Sequence, residues 1–445
     1  MDEYLKTLLE QIRCKKARPY IRQELQDHIE DQIAENMHAG MDRERAEKEA
    51  VRDMGDPVET GISLDRIHKP QIAWKLLVMV ILLSVAGILT HIMIARHINE
   101  GDASVSGRYV IHVMVGIAVM IFLYFLDYTL LARFSKVIAV ILLAMCLLTL
   151  YFGCKVNGMR YFIIIGGGSV SIPALMLFYV PIYGGVIYQY HGSGYTGLLK
   201  AIVWMVIPVV LVLRMPAMMT AGLMLISMLV MLTIAIQKDW FVVQKKKAMG
   251  GLWGIFMVMP AAVFLMMYLG NAFAPYQKAR IQAVFSNSGD ADYLTAKLRS
   301  LLTVNKFAGN SGVDVTEMLP AYNADYILAY LSSVYGMLAA ILICCILAVL
   351  ILTVFHTAMR QKNQLGMMMG CGMIFLVSFL INVLENVGAF PPAATFMPFL
   401  SAGGSYLIVS YGLMGIMLSI YRYKNVYPQH VRIRQNKNRI MSKVS

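Results

Sequence analysis

Charged side chains are scarce in this sequence, and acidic ones are nearly missing beyond residue 70. Only 15% of the 445 residues are charged, whereas 58% are hydrophobic, and the mean hydropathy is +0.62. An apolar content of this size exceeds what a water-soluble protein can bury. The composition therefore excludes a soluble enzyme and predicts a membrane protein.

The sequence also lacks the motifs of metal, redox and dinucleotide chemistry. Its six cysteines form no CxxC pair, and at least four lie inside apolar runs, so we interpret them as packed thiols rather than as a disulfide framework. None of the nine histidines has the HExxH spacing of a zinc site. Residues 192–197 match the pattern GxGxxG, but no strand is predicted before them, so we expect no dinucleotide site.

The charge that is present is divided between two regions. Residues 1–70 hold 16 of the 26 acidic residues and 12 of the 39 Lys and Arg residues, so the rest of the chain carries 27 basic and 10 acidic residues. The later basic residues lie in short loops between apolar runs, as the positive-inside rule expects. Anionic lipid head groups, rather than nucleic acid, are the expected neighbours.

Residues 1–70 predict a small cytoplasmic domain of three helices. Apolar periodicity favours helices at residues 4–12, 20–37 and 42–54, and Gly55 and Pro57 are typical of a helix end. The segment resembles the small prefix domains at the N-terminus of some bacterial permeases. It is either a solvated acidic bundle without chemistry or a docking or sensing module.

Beyond Pro70 the sequence predicts an all-α, polytopic membrane bundle of ten transmembrane helices. About 20 apolar residues cross the hydrocarbon core as a helix. Lys and Arg cluster in alternate loops and in the tail after Tyr421, which places both termini in the cytoplasm of a bacterial inner membrane. The ten predicted spans are 73–94, 109–126, 136–152, 168–189, 198–213, 217–236, 249–270, 325–355, 367–389 and 399–420.

Three regions follow from this pattern: a prefix domain at 1–70, a membrane domain at 71–424 and a basic cytoplasmic tail at 425–445. The one long polar connection, residues 271–324, is expected outside, between the seventh and eighth spans. A loop of this length in a compact domain is often functional.

Asp325 is a candidate functional residue because ionisable groups at membrane depth are costly to bury. It lies where the outer loop is predicted to re-enter the membrane. One interpretation is a helix N-terminal acid worth about 0.5–2 kcal/mol, and the other is a catalytic carboxylate. Glu317 either shares a face with Asp325 or is a solvated loop acid.

Three motifs resemble those of the SEDS family of shape, elongation, division and sporulation proteins (FtsW, RodA, SpoVE), with similarity over residues 75–424. One surrounds Asp325, one is a glycine-rich segment before the last span, and one is an Asn-Gly-x-Arg-aromatic segment. Each motif alone is weak, but their order and spacing identify a divergent member. The matching residues are Leu319, Pro320, Asp325, Tyr326, Ile327 and Ala329; residues 398–405 with Asn382, Gly388 and Pro391; and Asn157, Gly158, Arg160, Tyr161 and Pro173.

The resemblance implies an inverting peptidoglycan glycosyltransferase that polymerises lipid II at the outer face of the membrane. Asp325 matches the family's essential acid, which implies a general base. The implied partners are lipid II, the nascent glycan strand, membrane lipids and a class B penicillin-binding transpeptidase. No cofactor is certain, and a divalent cation at the diphosphate is left open. Candidate substrate-binding residues are Glu317, Arg160, Lys278, Arg280, Lys297, Arg299, Ser401, Gly403, Gly404 and Ser405.

Some polar positions of the family pattern hold other residues in this chain, such as Ala217, Ala321 and Asn323. Glu385, conversely, is an acid within the ninth predicted span, where the family is usually apolar. It is either a core residue, protonated or paired with Asn386, or a substitute for a lost polar group. Two alternatives to the enzyme remain: a SEDS-like scaffold or regulator of a transpeptidase without turnover, and a transporter of a lipid-linked precursor.

Overall fold

The chain folds mainly into helices in the computed structural model, which describes residues 1–97, 103–156, 159–165, 168–215, 217–270, 293–359, 365–393, 395–424 and 426. These residues divide into two compact units. The first consists of Met1–Ala73 together with the described residues from Leu418 onward, and the second of the described residues between Trp74 and Met417.

The first unit has four helices before residue 70, one more than the three predicted. The third helix ends before Gly55 and Pro57, as predicted, and the additional helix begins at Pro57 itself. Proline is unfavourable inside a helix but favourable at its first position, where an N–H would have no partner. Asp56 caps this helix by accepting a hydrogen bond from Glu59 N at 3.0 Å. The helices are α1 (Asp2–Glu10), α2 (Arg18–His38), α3 (Arg43–Asp53) and α4 (Pro57–His68).

Close packing of α1 on α4 holds this unit together. Leu5 and Leu8 of α1 are fully buried, and Gly61 of α4 lies so near that a Cβ there would be 2.7 Å from Leu8 O. The segment after α4 is joined to the second stretch of this unit, which begins at Leu418, because Gln71 N donates to Arg422 O at 3.0 Å.

Eight helices of the described chain are long and apolar enough to cross a membrane, and they correspond to eight of the ten predicted spans. These eight spans are Trp74–Arg96, Ser106–Phe125, Ser135–Phe152, Tyr195–Arg214, Met218–Gln237, Met337–Met359, Gly366–Asn386 and Gly404–Arg422. The helices are α5 (Trp74–His97), α6 (Ala103–Phe125), α7 (Tyr128–Arg133), α8 (Ser135–Phe152), α9 (Ile172–Leu175), α10 (Tyr179–Tyr188), α11 (Tyr195–Arg214), α12 (Met218–Gln237), α13 (Lys245–Trp253), α14 (Met259–Leu269), α15 (Tyr293–Val304), α16 (Val315–Met318), α17 (Ile327–Val334), α18 (Met337–Met359), α19 (Leu365–Asn386) and α20 (Gly404–Arg422).

The predicted span at 168–189 is instead part strand and part short helix. The antiparallel strands β1 (Cys154–Val156), β2 (Met159–Ile165) and β3 (Gly168–Ser171) form a small sheet in the order β1-β2-β3. The β-branched run at residues 163–165 favours a strand, and Pro173 favours a helix start at α9. The apolar helical segment that follows, Ile172–Tyr188, is shorter than the other eight.

The predicted span at 249–270 is not a regular helix either. A π-helical turn, Gly254–Val258, separates α13 from α14. Pro260 follows it, and a proline lacks an N–H and clashes with the carbonyl four residues earlier, which accounts for a widened turn there.

The predicted span at 325–355 is broken into α17 and α18 at Gly336. Gly336 adopts φ +95°, and a Cβ at this position would lie 2.6 Å from Ala308 Cα. Only glycine accepts both the left-handed backbone and the close approach. The membrane-crossing helix is therefore α18, and Asp325 lies before the short helix α17.

The described part of the outer loop packs on α17 through a small apolar core. Helices α15 and α16 supply side chains that are buried together with Tyr330 of α17 and Ile94 of α5. This core fixes the chain on the N-terminal side of Asp325. Its other buried members are Leu298, Leu301, Val315, Leu319, Tyr326 and Ala329.

Helices α10 and α19 approach each other closely at Gly184 and Gly366. A Cβ on Gly184 would lie 2.5 Å from the carbonyl carbon of Gly366 and 2.6 Å from Met367 N. Both contacts are with main chain, which cannot move aside as the end of a flexible side chain can. The absence of a side chain at residue 184 therefore sets the spacing of these helices.

We expect Gly184→Ala to lower the unfolding temperature of the detergent-solubilised protein, because overpacking of this kind costs about 1–3 kcal/mol. Gly222→Ala in α12 is the matched control, since a Cβ there meets nothing within 4 Å and alanine is the better helix former. Tryptophan fluorescence during heating measures both variants. An unchanged midpoint for Gly184→Ala would contradict the close approach.

Candidate active site

Asp325 lies in a tight turn between α16 and α17. Ala321 adopts φ +50°, and its carbonyl oxygen accepts hydrogen bonds from Ala324 N at 2.9 Å and Tyr326 N at 3.3 Å. Helix α17 begins at Ile327 with Tyr326 at the N-cap position and without a side-chain cap. The carboxylate of Asp325 therefore does not cap this helix, contrary to the structural interpretation of the sequence.

Two asparagines of α19 hold the main chain of Asp325. Asn382 and Asn386 each donate through Nδ2 to Asp325 O, both at 3.0 Å. Asn386 also accepts a hydrogen bond from Ala329 N at 3.0 Å, so it joins α19 to the first turn of α17. Both asparagines are buried, and the position of Asp325 is thus set by amide groups rather than by its own side chain.

The segment before α20 holds the turn from another direction. Ser401 donates to Ala324 O at 2.8 Å, and Ala402 N donates to Asn323 O at 3.0 Å. Phe399, in the same segment, has φ +66°, and its carbonyl oxygen accepts a hydrogen bond from Tyr109 of α6 at 2.7 Å. The turn around Asp325 is therefore bound to two separate parts of the bundle.

The carboxylate of Asp325 is left available by these contacts. Among the described residues it accepts no hydrogen bond and forms no ion pair. Burial, followed by the negative charge of Glu385, raises the pKa of Asp325 from its ordinary value near 4 to about 7. A carboxylate of this kind can accept a proton near neutral pH.

Glu385 is a fully buried acid on the same face of α19 as the two asparagines. Its Oε1 accepts hydrogen bonds from Tyr326 Oη at 3.2 Å and Ala393 N at 2.8 Å. Its Oε2 accepts a hydrogen bond from Thr395 Oγ1 at 2.5 Å. Neither interpretation made from the sequence, a core residue that is protonated or paired with Asn386 or a substitute for a lost polar group, predicted these three donors.

Thr395 is a residue that the sequence interpretation missed. Its hydroxyl accepts a hydrogen bond from Asn382 at 3.0 Å and donates to Glu385. A usable signal was present in α19, where Asn382, Glu385 and Asn386 have helical spacing within an otherwise apolar run. The partners of that polar face come from other segments and leave no pattern in the sequence.

Two of the predicted cationic residues are described, and neither contacts Asp325. Arg299 donates through Nε to Gly388 O at 2.9 Å, and Lys297 donates to Tyr293 and lies 4.5 Å from its ring centroid. Arg160 lies in β2, but its side chain is outside the described part of the chain, as are Lys278 and Arg280. Glu317 is exposed in α16.

The predicted glycine-rich segment forms structural contacts. Ser401 is buried between Ala324 O and Met397 N, and Ser405 accepts a hydrogen bond from Ser171 N at 3.0 Å. A Cβ on Gly404 would lie 2.5 Å from His112 Nε2, whereas one on Gly403 would meet only ordinary contacts with Tyr406. Substrate binding by Ser401, Gly403, Gly404 and Ser405 stays a prediction.

A narrow cleft lies beside this network. Its walls are largely apolar, but four hydroxyl groups line it, and one of them, Thr395, also contacts Glu385. Thr220 and Tyr406 are joined across it at 3.0 Å. Among the described residues, no three His, Cys, Asp or Glu side chains converge as a metal site.

The sequence and the fold of this chain are similar to those of known membrane proteins of one family. A sequence model of the FtsW/RodA/SpoVE family, described as "Cell cycle protein", matches residues 70–426. The chain is similar to the probable peptidoglycan glycosyltransferase FtsW of Enterococcus hirae, 29% identical over 143 residues, 31% of this chain and 36% of the relative. It is also similar to peptidoglycan glycosyltransferase MrdB of Escherichia coli K12, 28% identical over 26% of this chain and 32% of the relative.

The chain thus spans about a third of the length of these two relatives. A longer match, to the probable FtsW of Aliivibrio salmonicida, is 23% identical and covers 66% of this chain and 74% of the relative. One similar solved structure concerns the structural coordination of polymerization and crosslinking by a peptidoglycan synthase complex, with a TM-score of 0.64 at 17% identity over 79% of this chain and 98% of the other. Thermus thermophilus RodA has a TM-score of 0.57 at 15% identity over 79% and 97%.

We expect the Asp325 carboxyl to make stability depend on pH. Its pKa is higher in the folded chain than in the unfolded chain, so its stabilising effect is complete below about pH 4 and is lost as the pH rises to about 7. The unfolding temperature of the wild type, relative to Asp325→Asn, is expected to fall across this window. Asp314→Asn, which removes an exposed acid but keeps an N-cap acceptor, is the control. A constant difference for Asp325→Asn would refute the burial of this carboxyl.

Proposed function

The chain belongs to the FtsW/RodA/SpoVE family of cell cycle proteins, and we propose that it is a peptidoglycan glycosyltransferase that extends glycan strands from lipid II. Its multi-pass helical bundle suits substrates that are anchored in a bilayer. The observation that carries the proposal is Asp325, whose main chain is held by two asparagines while its carboxylate has no hydrogen-bond partner within the described chain.

Asp325 acts as the general base in this proposal. A sugar hydroxyl oxygen attacks the anomeric carbon of the second sugar, and the new carbon–oxygen bond forms as the bond to undecaprenyl diphosphate breaks. The hydroxyl proton passes to the Asp325 carboxylate, and the electron pair leaves with the diphosphate. General base catalysis of this kind contributes about 10²–10⁴-fold, and attack opposite to the leaving group inverts the anomeric centre.

Rigidity of the turn supports this role, because a base must lie within hydrogen-bond reach of the proton it removes. The carbonyl oxygens of Asn323, Ala324 and Asp325 are all bound to other segments. These contacts leave side-chain rotation as the main freedom of Asp325, so the carboxylate can turn towards a substrate hydroxyl without movement of the backbone.

The leaving diphosphate requires positive charge, and basic residues of the outer loop are the proposed source. Arg299 is the best supported of them, because its guanidinium is anchored at Gly388, two residues beyond the end of α19. Arg160, Lys278, Arg280 and Lys297 are further candidates. A divalent cation at the diphosphate also stays within the proposal and would add positive charge to the leaving group.

We also propose that the protein lies in the bacterial cytoplasmic membrane with both termini inside and Asp325 at the outer face. The distribution of basic loops supports this orientation. A transpeptidase is the proposed partner, because a similar solved structure concerns polymerization and crosslinking in one synthase complex.

We expect Asp325→Asn to reduce polymerisation of labelled lipid II by at least about 100-fold, because the amide cannot accept the proton. Purified protein with its transpeptidase partner, and glycan products separated by electrophoresis, provide the measurement. Asp314→Asn is the matched acid-to-amide control in the same loop and is expected to retain activity.

The outcomes separate the candidate functions. Synthesis by the wild type and not by Asp325→Asn supports the glycosyltransferase. Absence of synthesis by the wild type favours a scaffold, and movement of lipid II across a vesicle membrane without synthesis favours a transporter. Full activity of Asp325→Asn would eliminate the general base.

A second prediction concerns orientation. In a background without the native cysteines, Lys306→Cys in the outer loop is expected to react with a membrane-impermeant maleimide in intact spheroplasts. Lys246→Cys at the start of α13 is expected to react only after lysis. Both lysines are exposed in the structure, so accessibility to solvent is matched. Labelling of residue 246 in intact spheroplasts would reverse the proposed topology.

A further inference from the structure

Glu385 is a buried acid for which the proposed reaction has no role. Its side chain is completely buried in α19, yet within the described chain it forms no ion pair. Burial of a carboxylate is costly unless it is paired or hydrogen-bonded. The cost of retaining an acid here calls for a physical explanation.

The Glu385 side chain is the acceptor in each of its three hydrogen bonds within the described chain. All three partners donate: Tyr326 Oη, Ala393 N and Thr395 Oγ1. Thr395 receives its own hydrogen bond from Asn382 Nδ2, so its single proton is free for Glu385. These three donors offset the cost of burying the acid, and no cation takes part within the described chain.

The same three donors connect Glu385 to the Asp325 turn. Tyr326 is the residue after Asp325, and Thr395 is joined to Asn382, which holds the Asp325 carbonyl. Glu385 lies between Asn382 and Asn386 on one helical face. A negative charge is therefore fixed beside Asp325 by the groups that position it.

We infer that Glu385 is a positioning residue that holds Tyr326, Ala393 and Thr395 in place and keeps a fixed negative charge beside Asp325, thereby setting the pH range in which Asp325 works as a base. This inference rests on the proposed function. The role of Glu385 explains why an acid that does not contact the substrate is buried next to the general base. The charge of Glu385 contributes, after burial, to the raised pKa of Asp325.

Among the described residues, few other ionisable groups face this pair. Tyr326 interacts with both carboxylates from the turn itself, and His91 of α5 lies near Asn323 in the same turn. Arg299 of α15 approaches the end of α19, where it binds Gly388 O. Removal of the Glu385 charge is therefore expected to lower the pKa of Asp325, because none of these neighbours supplies a negative charge in its place.

The test is the pH dependence of lipid II polymerisation by Glu385→Gln. Glutamine keeps the size and one acceptor oxygen but removes the charge. Loss of a like charge favours ionisation of Asp325, so the acid limb of the rate profile is expected to move down by about 0.5–1 pH unit. Glu385→Asp keeps the charge and is expected to restore the wild-type limb even where its maximal rate is lower.

A second readout does not depend on activity. Hydrophobic carbodiimides react with protonated carboxyl groups, so the pH dependence of labelling at Asp325, measured by mass spectrometry, reports its titration directly. The labelling midpoint of Glu385→Gln is expected to move down by the same amount as the rate profile. Asp314→Asn, which removes an exposed acid of the same loop, is expected to move neither.

The labelling experiment separates failure of this inference from failure of the proposed function. If the wild type does not polymerise lipid II, the function fails, but a shifted labelling midpoint still supports the role of Glu385. If Glu385→Gln does not fold, Thr395→Val, which removes the donor to Oε2, is expected to shift the midpoint in the same direction. Coincident midpoints for the wild type and the folded variant overturn the inference.

Discussion

Two amide side chains on one carbonyl oxygen determine the geometry of the candidate site. Asn382 and Asn386 both donate to Asp325 O, and they are spaced by one helical turn on α19. A main-chain carbonyl buried without a donor costs about 1–3 kcal/mol, so the turn keeps this position as long as α19 is intact. The carboxylate of Asp325 consequently takes no part in holding the turn within the described chain. A residue that exchanges protons with a substrate requires such a carboxylate.

The surrounding fold supplies the rigidity on which this contact depends. Helix α19 packs against α10 where Gly184 and Gly366 bring their main chains together, and the break at Gly336 separates the short helix α17 from the spanning helix α18. In a continuous helix over residues 325–355, Asp325 would have formed the first turn of the spanning helix. The break lets the turn lie against α19 instead, so two glycine contacts distant from the acid decide where the acid is placed.

Long apolar runs could be predicted from the sequence because length and composition alone report them, and eight of the predicted spans are helices of the expected kind. Local chemistry misled the prediction where one residue type has two uses. Pro57 was expected only to end the third helix, but it also starts a fourth, and the first residues of the predicted span at 168–189 pair as a strand rather than crossing as a helix. The family was also predictable, because the order of the motifs is kept even where a polar position of the family pattern holds another residue, as at Ala217.

The site could be predicted only in part, for a related reason. Asp325 was recognisable because an acid in an apolar context is costly, and Glu385 was recognisable on the same ground. Their relation was not, because Tyr326 and Thr395 reach Glu385 from either side of it in the sequence, 59 residues before and 10 residues after. An isolated acid in an apolar helix favours neutralisation in any reading of the sequence alone. The three donors that converge on Glu385 come from separate segments, and they bring the second acid next to the turn that carries the first.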